Sequence, residues 1–134
     1  AMTFDTLRSY LLAKPGARED FPFDTITLVL KVGGKMFALT DITESPLRVN
    51  LKCDPLKAEA LRRRYAAVLP GYHMNKRHWN TVVFDGTIPD AELRAMIDDS
   101  YRLVVRGLSR VQRATLGSEG SGVSDGEGRE ENPP

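Results

Sequence analysis

The stretch "TITLVLKVGGKMFALTDI", residues 25 to 42, limits the possible folds more than any other part of the chain. Ile26, Leu28, Leu30 and Val32 alternate with Thr25, Thr27, Val29 and Lys31, the period of two that puts one set of side chains on one face of a strand. Gly33 and Gly34 then separate this run from "KMFALTDI". Two glycines accept the positive φ angles of a two-residue turn, so the stretch predicts a β-hairpin. A lone hairpin is at best marginally stable in water, so further strands and helices must cover its apolar face.

The remaining sequence supplies them. Thr3 is placed to cap a helix with Phe4, Leu7, Tyr10 and Leu11 on one stripe, which "KPG" ends near Ala13. "PLRVNLK" predicts a further strand, with Leu47, Val49 and Leu51 inward and Arg48, Asn50 and Lys52 on the opposite face. Asp54 and Pro55 open a second helix whose expected buried stripe is Ala58, Leu61, Tyr65 and Val68, running until Pro70-Gly71. "WNTVVF" is β-rich, and "DG" leads into Thr87 and Asp90 at capping-box spacing before a last helix carrying Leu93, Ile97, Tyr101, Val104 and Leu108. Strands and helices do not alternate strictly, which disfavours a parallel βαβ sheet. The expected class is α+β, a twisted antiparallel sheet packed against helices.

Charge divides the chain. Residues 1 to 113 carry a net +5, and residues 114 to 134, mostly Gly, Ser, Glu and Pro, carry −4. Such a tail has too little apolar surface to offset the entropy of ordering, so one domain over 1–113 and a disordered acidic tail over 114–134 are expected. No run approaches the roughly 20 apolar residues of a membrane span and no signal peptide pattern opens the chain, so a cytoplasmic location is expected. A monomer is expected as well. Cys53 is the only cysteine. It forms no internal disulfide, and no CxxC or Cys-His ligand set for zinc exists.

"HMNKRHWN", residues 73 to 80, holds both histidines and the only tryptophan. His73 and His78, with Asp54 or Asp85, are a thin metal-ligand set because Lys76 and Arg77 lie between the histidines, so no metal or other cofactor is expected. No GxSxG or phosphate-binding Gly-rich loop occurs, and Cys53 beside a strand end reads as packed rather than nucleophilic, so no catalysis is expected. The basic signal is stronger. From Arg48 to Arg77, eight Lys or Arg face two acids, a net +6 over 30 residues. With Tyr72 and Trp79 beside them, such cations suit phosphate contact and stacking on an exposed base. Set against this, Arg62, Arg63 and Arg64 fan around a helix at 100° per residue and cannot all join one patch. Trp79, at a strand start, fits core or half-core, and the histidines fit hydrogen-bonding struts.

"AKPGA" (13 to 17), "LKVGGKMFAL" (30 to 39), "LRVNLK" (47 to 52), "HMNKRHWNTVVFDGTIPD" (73 to 90) and "SYRLVV" (100 to 105) together resemble the YjbR/MmcQ family. The most specific element is His73-x-Asn75-Lys76-x-His78-Trp79 followed by "DG" and "PD". The resemblance implies a frataxin-like (CyaY-like) fold and a DNA-binding label with a double-wing arrangement of hairpins. It carries over Lys52, His73, Asn75, Lys76, His78 and Trp79 as motif positions. Iron delivery in the manner of frataxin is not expected, since the first helix holds a single acid, Asp5. The expected function is contact with DNA backbone through Arg48, Lys52, His73, Asn75, Lys76, Arg77, His78 and Trp79, the alternative being a protein-interaction module that uses the same surface.

Overall fold

The structure, a computed structural model, describes residues 2–72 and 74–119. Helix α1 (Phe4–Leu12) begins where the Thr3 side chain accepts a hydrogen bond from the Thr6 amide at 3.2 Å and ends at Ala13. Strands β1 (Arg18–Asp20), β2 (Thr27–Val32), β3 (Lys35–Asp41) and β4 (Leu47–Lys52) follow, then helix α2 (Pro55–Arg64). Strands β5 (Val68–Pro70) and β6 (Trp79–Phe84) precede helices α3 (Asp90–Arg106) and α4 (Arg110–Glu119). The strands form one sheet in the order β1-β2-β3-β4-β6-β5, with every neighbouring pair antiparallel. The α+β antiparallel class expected from the sequence is therefore the observed one. Gly33 and Gly34 make the β2–β3 turn at φ +60° and +80°, the left-handed values the hairpin requires.

One face of the sheet carries the core. Leu28, Leu30 and Val32 of β2, Val49 and Leu51 of β4 and Val82 of β6 pack with Leu7 and Leu11 of α1 and Ile97 and Val104 of α3. Each such side chain contributes about 1.5–3 kcal/mol when buried. Ser100 is the polar member of this interior. Fully buried, its hydroxyl donates to the Phe37 carbonyl at 2.6 Å and accepts from the Lys52 amide at 2.8 Å. Those two bonds fix α3 to the ends of β3 and β4. The other face is partly apolar as well: Val29, Leu39 and Trp79 form a second cluster under Met36 and Met74. That is why Val29, assigned by alternation to the polar set, is fully buried.

Several boundaries differ from expectation. Helix α2 ends at Arg64, because Tyr65 is extended (φ −124°, ψ 123°), and Val68 belongs to β5, where it pairs with Val82. Its spacing from Ala58, Leu61 and Tyr65 suits a helix, yet its burial comes from the sheet. Thr87 does not cap α3. Both its amide and its hydroxyl bond to Asp85, at 3.0 and 2.6 Å, and Pro89 stands at the N-cap. The expected domain boundary at residue 113 falls inside α4, which runs to Glu119, and residues 120–134 lie outside the described residues. Leu116 of α4 is 8% exposed and sits against Gly16, where an added Cβ would collide with the Leu116 Cδ2. Leu116→Ala should cost about 2 kcal/mol, the lower end for a buried leucine, read as a lower midpoint in urea at unchanged slope. A midpoint equal to that of the parent would mean that α4 does not pack on the domain.

Candidate functional site

Between β5 and β6, the backbone of residues 71–72 and 74–78 is closely held. The Gly71 amide donates to the Trp79 carbonyl at 2.9 Å, and a Cβ at Gly71 would meet the Trp79 Cβ at 2.8 Å and that carbonyl at 2.9 Å. Only glycine permits this approach. The Asn75 carbonyl accepts from the amides of His78 (3.2 Å) and Trp79 (3.0 Å), while its side-chain oxygen accepts from the Arg77 amide at 2.9 Å. Asn75 thus closes the turn from both main chain and side chain. Just past β4, the Cys53 amide donates to the His78 carbonyl at 2.7 Å.

Arg62 joins α2 to this turn. Its Nε donates to Asn80 Oδ1 at 2.7 Å, and its Nη2 donates to the Lys76 carbonyl and, at 3.4 Å, to that of Trp79. Asn80 is 2% exposed and donates in turn to the Ala58 carbonyl at 3.4 Å. The Arg62 fork is therefore used on the protein itself.

Across the sheet, Lys52 and Trp79 are direct partners in the β4–β6 ladder. The C-terminal turn of α3 reaches the same end of the sheet, because Ser100 anchors it there. Between them lies an open cleft of about 480 Å³ lined by Lys52, Asn75, His78, Trp79, Leu103, Arg106 and Gly107. None of these residues is acidic. Neither Lys52 nor Arg106 has an ion-pair partner among the described residues, so the cleft presents two cations, an imidazole and an amide with no carboxylate to offset them.

The predicted surface is thereby divided. Lys52, Asn75, His78 and Trp79 come together in the cleft. Arg48, exposed on the same β4 face, pairs with Val83 toward the other end of the strand and does not line it. The Lys76 ammonium turns back to the Gly71 carbonyl at 3.2 Å, and the Arg77 side chain is exposed beside the turn. His73 lies outside the described residues. Of the other cations in the basic stretch, Lys57 pairs with Asp99 at 2.5 Å and Arg64 lies 5.0 Å from the centre of the Tyr65 ring. Trp79 is 9% exposed, so its indole serves as a wall rather than a platform for stacking. Arg106 and Leu103 were not foreseen. Their positions on a helix stripe carry no sign of which end of the sheet the helix reaches.

Cys53 is 6% exposed, and burial pushes its thiol pKa up, opposite to the depression that activates a cysteine. A thiol reagent at neutral pH should label it far more slowly in the native protein than in denaturant; equal rates would contradict the burial. No three His, Cys, Asp or Glu side chains among the described residues are grouped to hold a metal ion, and no described helix is long and apolar enough to cross a membrane.

A family model described as YjbR matches residues 12–103. The chain is 37% identical over 115 residues to "Uncharacterized protein YjbR" of Escherichia coli (strain K12), covering 86% of this chain and 98% of that protein. It is 39% identical over 106 residues to "Uncharacterized protein YbdF" of Escherichia coli O157:H7, covering 79% of this chain and 87% of that one. Among solved structures it is similar to the crystal structure of Deinococcus radiodurans protein DR2400, with a TM-score of 0.82 and 44% identity over 92% of this chain and 96% of that one. A protein from Pseudomonas syringae is similar at a TM-score of 0.66 and 27% identity, over 76% of this chain and 98% of that one.

Proposed function

The chain belongs to the YjbR family, and for this member of it we propose a nucleic-acid-binding role, exercised on the backbone through the cleft at the β4–β6 end of the sheet. The observation that carries the reading is the lining itself: Lys52 and Arg106 on opposing elements, with His78 and Asn75 between them and no acidic residue. Donors without acceptors select an anion, and phosphate is the anion nucleic acids present. Arg77 beside the cleft extends the positive surface along a strand, and the resemblance noted in the sequence points the same way. In this reading the site binds without catalysis, and Cys53, buried with its thiol pKa raised, takes no part as a nucleophile.

The competing reading, capture of an acidic protein partner, draws on the exposed Tyr72 and the partly exposed Leu69 on β5 and the turn that follows it. Salt dependence separates the two. Binding to duplex and single-stranded DNA of unrelated sequences should be similar in strength. On duplex, log affinity should fall with log salt at a slope of about −0.9 for each phosphate contacted, so two to three contacts give about −2 to −3. Absence of binding to either form at low salt would remove the nucleic-acid reading and leave the acidic partner.

A further inference from the structure

We propose that the cleft binds a terminal phosphomonoester, on a nucleotide or at the end of a strand, in preference to an internal phosphodiester. For the strand end the inference rests on the nucleic-acid reading above; for the free nucleotide it does not. Concavity is the first ground. Ligand cavities for small molecules span about 300–1,000 Å³, and this cleft, at about 480 Å³, is within that range. It is bounded on three sides by different elements: Lys52 at the end of β4, Asn75 and His78 on the turn before β6, and Leu103 with Arg106 on the last turns of α3. An internal segment of backbone must enter and leave the same space, whereas a strand end has only to enter it.

Charge is the second ground. A phosphodiester carries one negative charge. A phosphomonoester carries about 1.5–2 at neutral pH and offers three acceptor oxygens. Lys52 and Arg106 supply two positive charges from two different elements, without an ion-pair partner among the described residues, and the Arg106 fork accommodates two oxygens of one phosphate. The Asn75 side-chain oxygen is engaged by the Arg77 amide, which leaves the amide nitrogen as the group able to donate to a third oxygen. The third ground is the apolar part of the lining. Leu103, half-buried, and the Trp79 wall are the apolar part a sugar or base would meet, a contact that needs no sequence readout.

The test compares one short single strand in three forms, with a 5′-phosphate, with a 3′-phosphate and with hydroxyls at both ends, each titrated into the full chain. Thymidine monophosphate and thymidine serve as competitors. At least one phosphorylated form should bind about tenfold tighter than the hydroxyl form, corresponding to 1.4 kcal/mol. The monophosphate should compete where the nucleoside does not. In Arg106→Ala, an exposed position whose replacement leaves the core intact, the preference should vanish. Monophosphate binding that is lost in Arg106→Ala, with no strand bound at all, supports the phosphomonoester site and assigns it to free nucleotides, while the nucleic-acid reading fails. Three strands bound equally, all weakened by Arg106→Ala, overturn the terminal preference and leave the nucleic-acid reading standing. No binding of strands or monophosphate overturns both.

Discussion

Replacing Lys52 and Arg106 together with alanine is expected to weaken nucleic-acid binding about 100-fold at low salt and to reduce the duplex salt slope by about 2. The affinity figure follows from hydrogen bonds to charged groups, about 1.5 kcal/mol each at the lower end, and the slope from about 0.9 released counterions per contact. Neither side chain belongs to the core, and neither forms an ion pair with a described residue, so stability should change by no more than about 0.5 kcal/mol for each. The control removes the same charge elsewhere: Arg63→Ala with Arg64→Ala, two exposed positions on α2 that do not line the cleft. If attraction by net charge alone governs binding, both double variants lose the same affinity. If the cleft governs it, the α2 variant retains nearly all of its affinity. Equal losses, or an unchanged Lys52/Arg106 variant, would reject the cleft as the contact surface.

Much of this arrangement is legible in the sequence, and the gaps have specific causes. The alternation through Leu28, Leu30 and Val32 and the Gly33-Gly34 pair are local signals, and local signals predict a hairpin well. The inward set Leu47, Val49 and Leu51 is where the alternation places it. Short edge strands are harder. β1 and β5 have three residues each, and three residues cannot display a period of two against one of 3.6. Val68 fits both periods, and only its pairing with Val82 decides between them. The α4 helix is hidden by composition, since its last residues lead into a Gly- and Ser-rich segment and, among the described side chains, Leu116 is the one that marks the buried side.

The site was half legible for a related reason. Lys52, Asn75, His78 and Trp79 are tied together by one ladder and one turn, and their sequence motif names them without showing what they face. The opposing wall depends on where α3 ends relative to β4, which Ser100 determines through bonds to Phe37 and Lys52 that span 63 and 48 residues of sequence. Counting charges along the chain also overstated the surface. Lys57, Arg62, Arg64 and Lys76 each have partners within the protein, so the +6 stretch contributes fewer cations to any ligand than its composition implies.

Arg62 separates structural cations from binding ones most sharply, and its removal should have the largest effect on stability among the substitutions in the basic stretch and the cleft. Arg62→Ala is expected to cost about 3 kcal/mol, because the change leaves the 2%-exposed Asn80 side-chain oxygen and the Lys76 carbonyl without this donor, while the Trp79 carbonyl keeps its bond from the Gly71 amide. Arg62→Lys keeps the charge but lacks the fork that serves the Asn80 oxygen and the turn carbonyls together, so it should recover no more than about 1 kcal/mol. The two variants isolate geometry from charge. A double-mutant cycle of Arg62→Ala with Asn80→Ala should then show a coupling of about 1–2 kcal/mol in urea unfolding, as expected for directly bonded partners. At temperatures where the variant remains folded, Arg62→Ala should also weaken DNA binding, because the turn bearing Asn75 and His78 loses its tie to α2, and this loss should come without the change in salt slope produced by Lys52 and Arg106. Full recovery of stability by lysine, or a coupling near zero, would show that Arg62 acts through charge alone and that the turn is held by its own backbone bonds.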